Sequence, residues 1–339
     1  MTQNGSMTHA LRTKETAGTE SSRLPLRRLG PEGHVGPVGL GCMSMSWLYD
    51  RGHHDQSSSI AVIHRALELG MTLLDTADAY GPFTNEKLIG AAVAGRRDQA
   101  FVATKVGLLV DGALAYHQNG RPEHIRAACD ASLARLGVDQ IDLYQLHRVD
   151  PAVPIEDSVG AMAELVADGK VRAIGLSEVS VMEATRANAI HRISSIQSEM
   201  SLWTRDPLDN GVLEWCARHS VAFLAYAPLG RGFLTGNIAS RDDLPKDDWR
   251  RDNPRFTDQA LEANGGILEA VRGIAAWHDA TPAQVALSWL LHQGGHVIPI
   301  PGTKTLRYLE QNSQAASLSL KPEELEKLNN LVPAVGARY

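Results

Sequence analysis

Cysteine is scarce: three residues in 339, at Cys42, Cys129 and Cys216. They are too few and too scattered for a disulfide framework, and none stands in a CxxC or Cys/His spacing that would hold zinc. Aromatic residues make up only 5% of the chain. No apolar run approaches the ~20 residues that a membrane-spanning helix needs. Positive charge is outnumbered, with 33 Lys and Arg against 39 Asp and Glu, for a net charge of −6. A nucleic-acid surface concentrates basic residues, so that partner class is disfavoured. Arg96-Arg97 and Arg250-Arg251 are short pairs flanked by Asp, as on a solvated surface. No apolar segment of a secretory leader opens the chain. Residues Met1–Arg23, rich in Thr, Ser, Gly and Glu, read as a disordered tail or an appended segment, leaving one folded domain at 24–339. The default compartment is the reducing cytoplasm, with no metal, nucleic-acid or membrane partner expected and the oligomeric state left open.

What is there is an ordinary globular balance, 43% hydrophobic and 21% charged, with a regular rhythm. Short apolar runs of strand character alternate with amphipathic stretches of helical length. The strands read as Val35–Leu40, Leu73-Leu74, Phe101–Thr104, Ile141–Leu146, Val171–Leu176, Ser195-Ile196, Val221–Ala225 and Val297–Ile300. Between them lie helices at Ser58–Leu69, Glu86–Ala94, from Pro122 onward, Ile155–Ala167, Val181–Ala189 and Asn210–His219, with Thr305–Ala316 after the last strand. Strands apolar on both faces imply a parallel sheet covered by helices. Eight such units fit a closed (β/α)8 barrel better than an open sheet, with an N-terminal β-hairpin and a C-terminal helical tail. The open dinucleotide-binding sheet would need GxGxxG after its first strand, and no such pattern follows Leu40. The polar stretch Arg231–Arg255 reads as a loop over the barrel mouth.

Polar residues recur where these strands end: Asp75, Lys105, His147, Ser177, Gln197 and Tyr226. In a parallel barrel all those ends open on one face, the face that carries active sites. A single polar residue there means little. A joint set of Asp75, Tyr80, Lys105 and His147 is chemically coherent. A tyrosine with its ordinary pKa near 10 serves acid–base chemistry when a cation stands beside its hydroxyl. Lys105 can be that cation, Asp75 can hold the ammonium, and His147 can hydrogen-bond a substrate oxygen or pass a proton. Taken singly, each has a bland reading as an ion pair, a cap or a packing ring.

The run LLDTADAYGPFTNEKLIG (Leu73–Gly90) resembles the aldo-keto reductase superfamily. So do ATK at Ala103–Lys105, LYQLHR at Leu143–Arg148, GLSE at Gly175–Glu178, AYAPLGRGFLTG at Ala225–Gly236 and IPGTK at Ile300–Lys304. The likeness runs from about Leu26 to the C-terminus. It implies a (β/α)8 TIM barrel that binds NADPH or NADP+ across its mouth and moves hydride to an aldehyde or ketone, a small-molecule carbonyl substrate. It gives Tyr80 the role of acid, Lys105 that of lowering its pKa, Asp75 that of orienting Lys105, and His147 the substrate oxygen. For the cofactor it implies Ser177 and Gln197 at the nicotinamide carboxamide, Tyr226 stacked on the ring and Met43 beside it. Pro228, Leu229, Gly230 and Gly232 fall against the pyrophosphate, and Gly302, Lys304, Tyr308, Gln311 and Asn312 at the adenosine end. Two positions depart from the family pattern: Glu178 stands where Asn is common, and Gln311 where Glu is frequent. Trp47, Trp203 and Phe233 are candidates for an apolar substrate wall, while Trp277, Trp289 and Leu290 read as core and His53-His54 as solvated loop. Two rival functions remain open: a Schiff-base aldolase using Lys105, and a slowly turning over NADPH-binding regulatory subunit like the potassium-channel β subunits.

Overall fold

The structure, a computed structural model, describes residues 25–30, 33–49, 54–110 and 116–338; the Met1–Arg23 tail and His53 lie outside them. Pro37 divides the first apolar run, because proline has no amide hydrogen for a strand ladder. The single strand expected at Val35–Leu40 is therefore two. β1 (Arg27–Arg28) and β2 (His34–Val35) pair as an antiparallel hairpin, and β3 (Leu40–Gly41) begins the barrel.

The strand–helix alternation then follows. It runs α1 (Gln56–Glu68), β4 (Leu73–Asp75), α2 (Thr84–Val93) and β5 (Phe101–Val106). A second hairpin, β6 (Leu108–Val110) and β7 (Tyr116–Gln118), interrupts it before α3 (Pro122–Leu136) and β8 (Ile141–Leu146). Next come α4 (Ile155–Ala167), β9 (Val171–Ser177), α5 (Val181–Ile190), β10 (Ser195–Glu199), α6 (Asp206–Asp209), α7 (Val212–His219) and β11 (Ala222–Tyr226). The last unit holds α8 (Asp258–Ala263), α9 (Gly265–Trp277), α10 (Pro282–Leu291) and β12 (Val297–Pro299), followed by α11 (Leu306–Gln314) and α12 (Pro322–Asn329). Local chemistry marks many of these ends. Pro122 opens α3, Gly137 closes it at φ 64°, and reciprocal caps from Ser180/Glu183 and Thr281/Gln284 start α5 and α10.

β3, β4, β5, β8, β9, β10, β11 and β12 lie side by side in that order, every pair parallel. The two edges meet: the Gly39 amide donates to Pro299 O at 2.9 Å, the Gly41 amide to Pro301 O at 3.1 Å, and Gly41 bridges Gly302. Only a small residue permits that seam, because a Cβ on Gly41 would stand 2.8 Å from Ile300 O. Side chains alternate as period two demands. Leu73, Ala103, Leu143, Ala173, Leu224 and Ile298 fill the barrel interior with Leu29 and Val35 of the hairpin. Their neighbours Leu74, Val102, Tyr144, Ile174, Phe223 and Val297 face the helices.

The stretch Arg231–Arg255 is more ordered than a polar loop. It is built of short 3-10 turns at Gly230–Thr235, Arg241–Asp243, Trp249–Asp252 and Pro254–Phe256. Trp289 and Leu290 are core, as expected, but Trp277 is 73% exposed, with the Lys321 ammonium 5.1 Å from its ring. It sits at the end of α9, where the apolar face has already turned away from the barrel. His54 is exposed.

Candidate active site

Tyr80 is carried by a tight turn between β4 and α2. Its amide donates to Ala77 O, and its carbonyl accepts from Asn85. Asn85, fully buried, ties the turn to the loop after β3 through Cys42 O at 2.9 Å and Ser46 Oγ at 2.7 Å. Gly81 is required at the bend: its φ is 64°, and a Cβ there would meet Ser46 O at 2.8 Å.

The turn delivers the phenol to a buried cation. Lys105, fully buried at the end of β5, donates from Nζ to Asp75 Oδ1 at 2.6 Å, Thr76 O at 2.8 Å and Tyr80 Oη at 3.2 Å. Burial works against the Lys105 charge, but Asp75 and Tyr80 outweigh it and hold its pKa above the ordinary value. Burial also raises the Tyr80 pKa, and Lys105 is the strongest influence opposing that rise. The resting phenol is therefore protonated. The opposite Asp75 oxygen, Oδ2, accepts from Gln197 Nε2 at 2.8 Å and Gln145 Nε2 at 3.4 Å.

His147, at the end of β8, meets Tyr80 edge-on with ring centroids 5.8 Å apart. Burial, Lys105 and Arg148 together lower its pKa well below the ordinary value, so the imidazole is neutral. Its Nδ1 is buried with no hydrogen-bond partner among the described residues. Asp75, Tyr80, Lys105 and His147, named from sequence, thus come together as one buried constellation at the C-terminal mouth of the barrel.

The remaining candidates distribute around that mouth. Ser177, buried, ends β9 and Tyr226 ends β11, but Gln197, also buried, lies in the middle of β10, because that strand runs on to Glu199. Met43 packs with Trp47 and Tyr80 in one cluster. Pro228 and Leu229 lead into the turn of Gly230 and Gly232, whose φ angles are 56° and 101°. Gly302 lies at the barrel seam, and Lys304 just precedes α11. Along α11, Tyr308 is exposed, Gln311 half-buried and Asn312 buried. Trp47 is tilted against Tyr80 at 5.7 Å between centroids. Trp203 and Phe233 stack on one another at 4.3 Å, both almost fully buried, with Trp203 beneath the Gly230 turn.

Several residues at the mouth escaped the sequence reading. Arg148 donates to Ser177 Oγ at 3.2 Å and His147 O at 2.6 Å; its adjacency to His147 was the available signal. Tyr116, on β7, meets Trp47 edge-on at 6.1 Å. Arg231 pairs with buried Glu199 at 2.8 Å, and Arg338 with Glu178 at 2.8 Å. Backbone strain gathers here too: Glu178, Ala227 and Arg231 are non-glycine residues with φ of 53°, 47° and 54°.

A parallel barrel with buried Asp, Lys, Tyr and His gathered at its C-terminal mouth defines a (β/α)8 protein whose polar constellation lies on the face that carries barrel active sites. The family model of the Aldo/keto reductase family matches residues 37–333. The chain is 41% identical over 317 residues to a probable aldo-keto reductase 1 of Glycine max, covering 92% of this chain and 91% of that protein. It superposes on the glycerol dehydrogenase of Gluconobacter oxydans with a TM-score of 0.83 and 30% identity, covering 90% of this chain and 94% of that one. A Klebsiella pneumoniae aldo/keto reductase solved with NADP and acetate gives a TM-score of 0.71 at 26% identity, over 91% and 95% of the two chains. The chain belongs to the aldo/keto reductase family.

Proposed function

We propose that the protein is an NADPH-dependent carbonyl reductase in which Tyr80 protonates the substrate oxygen. The observation that carries this reading is the buried Asp75–Lys105–Tyr80 chain of hydrogen bonds beside neutral His147. The mouth fits a dinucleotide on several counts. His147 Nδ1 and Ser44 Oγ are buried polar atoms without partners among the described residues. Gly230 and Gly232 take left-handed φ angles that turn the loop after β11 sharply, with Trp203, Arg250 and Ile238 packed where side chains would stand. Gln197 gives its amide hydrogen to Asp75, so its oxygen is the end that can accept from a carboxamide. Ser177, Gln197 and Tyr226 would hold the nicotinamide end, with Met43 beside the ring. Pro228, Leu229, Gly230 and Gly232 would flank the pyrophosphate, and Gly302, Lys304, Tyr308, Gln311 and Asn312 the adenosine end.

The bound cofactor supplies hydride to the carbonyl carbon. This chain's residues do the rest. His147, as a neutral donor, orients the carbonyl oxygen, and Tyr80 hands that oxygen its proton. Lys105 stabilises the phenolate left behind, and Asp75 keeps Lys105 charged and in place. Trp47 beside Tyr80 gives the substrate an apolar wall, to which Trp203 and Phe233 are further candidates. The aldolase alternative requires an uncharged Lys105, whereas Asp75 and Tyr80 favour the ammonium, which cannot add to a carbonyl.

Tyr80→Phe should lower kcat for aldehyde reduction by about 10²–10⁴-fold, the range for losing a general acid, with NADPH affinity near wild type. A variant that keeps most of its turnover would rule out this role. Borohydride with a keto substrate should leave no adduct on Lys105 by mass spectrometry; an adduct would favour the aldolase.

A further inference from the structure

Glu178 is the family departure that sequence alone could not explain, and its surroundings in the fold supply a reason. It follows Ser177 at the end of β9, in a left-handed conformation that a glutamate rarely adopts. The bend turns its carboxylate across the ends of β10 and β11. There it accepts from the Glu199 amide at 2.9 Å, from Arg338 Nη2 at 2.8 Å and from the Tyr226 hydroxyl.

Arg338 arrives from the far end of the chain. The segment beyond α12 is strapped across the mouth by side chains of the last barrel unit. Asn264 bonds both the amide and the carbonyl of Val335, Arg255 bonds Gly336 O, and Asn253 and Arg231 both donate to Arg338 O. This anchoring places the Arg338 guanidinium beside Glu178, with Glu199 at 3.9 Å and Asp206 at 4.0 Å. Glu199 in turn pairs with Arg231, whose backbone is also left-handed. Left-handed glutamate and arginine cost conformational energy that surrounding contacts must offset. The Glu199 amide, Arg338 and the Tyr226 hydroxyl all meet at the Glu178 carboxylate.

We propose that Glu178 and Arg338 form a clamp that fixes the orientation of Tyr226, so that the segment beyond α12 completes the nicotinamide half of the cofactor cleft. The proposal rests on the reading of Tyr226 as the nicotinamide platform. Glu178 and Arg338 act as positioning residues, neither touching the substrate. The charge states agree with the geometry. Burial would raise the Glu178 pKa, but the Glu199 amide, Arg338 and Tyr226 hold it below the ordinary carboxylate value. Burial works against the Arg338 charge, and Glu178, Tyr226 and Glu199 outweigh it.

The test uses two ligands of the purified full chain, followed by titration calorimetry: NADPH, and 2′-phospho-ADP-ribose, which has no nicotinamide. Arg338→Gln and Glu178→Gln should each weaken NADPH about tenfold, the scale of one charge-assisted hydrogen bond. Both should leave 2′-phospho-ADP-ribose within about twofold of wild type. The double variant should lose little more than either single one, because the pair acts as a unit. Tyr226→Phe keeps the ring, removes the tie to Glu178 and should reproduce the loss. Arg338→Lys should recover part of it. Equal weakening of both ligands would mean a general structural role and overturn the clamp, as would NADPH binding unchanged in Tyr226→Phe. A wild-type protein that binds 2′-phospho-ADP-ribose but not NADPH, or neither, would overturn the nicotinamide reading itself, and the clamp with it.

Discussion

At the Tyr80 hydroxyl, burial and the Lys105 ammonium act in opposite directions, and burial prevails. The resemblance led to the expectation that Lys105 lowers the tyrosine pKa; it does exert that pull, yet the net position is above the ordinary value. The consequence is a protonated donor across the neutral range. Reduction needs the phenol, so kcat/KM for an aldehyde should stay flat through neutrality and up to about pH 10, the ordinary tyrosine value, before it falls. Oxidation of the alcohol needs the phenolate and should climb over the same alkaline range. His147, held neutral, should add no limb between about pH 6 and 8. A reduction profile that declines below about pH 8 would contradict the assignment of Tyr80, because a raised pKa cannot release its proton there.

Two elements carry expectations of their own. The β6–β7 hairpin was not read from sequence, since its strands are only three residues each and β7 is Tyr-His-Gln, without an apolar run. It brings Tyr116 against Trp47 and Val110 into the Trp47–Tyr80 cluster, beside the acid. Tyr116→Ala should raise KM for an aromatic aldehyde about two- to tenfold, the worth of one aromatic pair, and leave a small aliphatic aldehyde nearly unchanged. Equal effects on both substrates would remove Tyr116 from the wall. The second element is α11, whose first turn follows Lys304. A cation beside helix amides suits the 2′-phosphate of NADPH. We expect at least about tenfold preference for NADPH over NADH in kcat/KM, from a contact worth roughly 1.5–3 kcal/mol. Lys304→Ala should narrow the ratio mainly through the NADPH KM; an unchanged ratio would refute the assignment.

On the scale of the whole molecule, the barrel depends on the seam between β3 and β12. Gly39 and Gly41 donate across it, and Gly41 leaves no room for a side chain. Gly41→Val would press on the backbone of Ile300 and part the first strand from the last. We expect a loss of at least about 2 kcal/mol in denaturant unfolding. The seam adjoins Gly302, so cofactor affinity should fall as well. Wild-type stability in that variant would mean that the two edges are not held together there.

Apolar runs, period-two alternation and the polar residues that end the strands are local patterns, and they carried the barrel and its constellation of Asp75, Lys105 and His147 before any coordinates. Helices at Asp258–Leu291 went unread: α10 is buried over nearly its whole length, which blurs the stripe that marks a helix, whereas Ile267, Leu268, Val271, Ile274 and Ala275 of α9 make a legible one. Pro37 was likewise legible and overlooked. What only the tertiary structure decided are contacts between distant residues: Gln197 on Asp75 across 122 positions and Arg338 on Glu178 across 160. No periodicity announces such pairs, because they arise when closure of the sheet brings strand ends and the last segment to one mouth. Burial there then set the protonation of Tyr80 and His147, a property of the surrounding dielectric and charges rather than of either residue type.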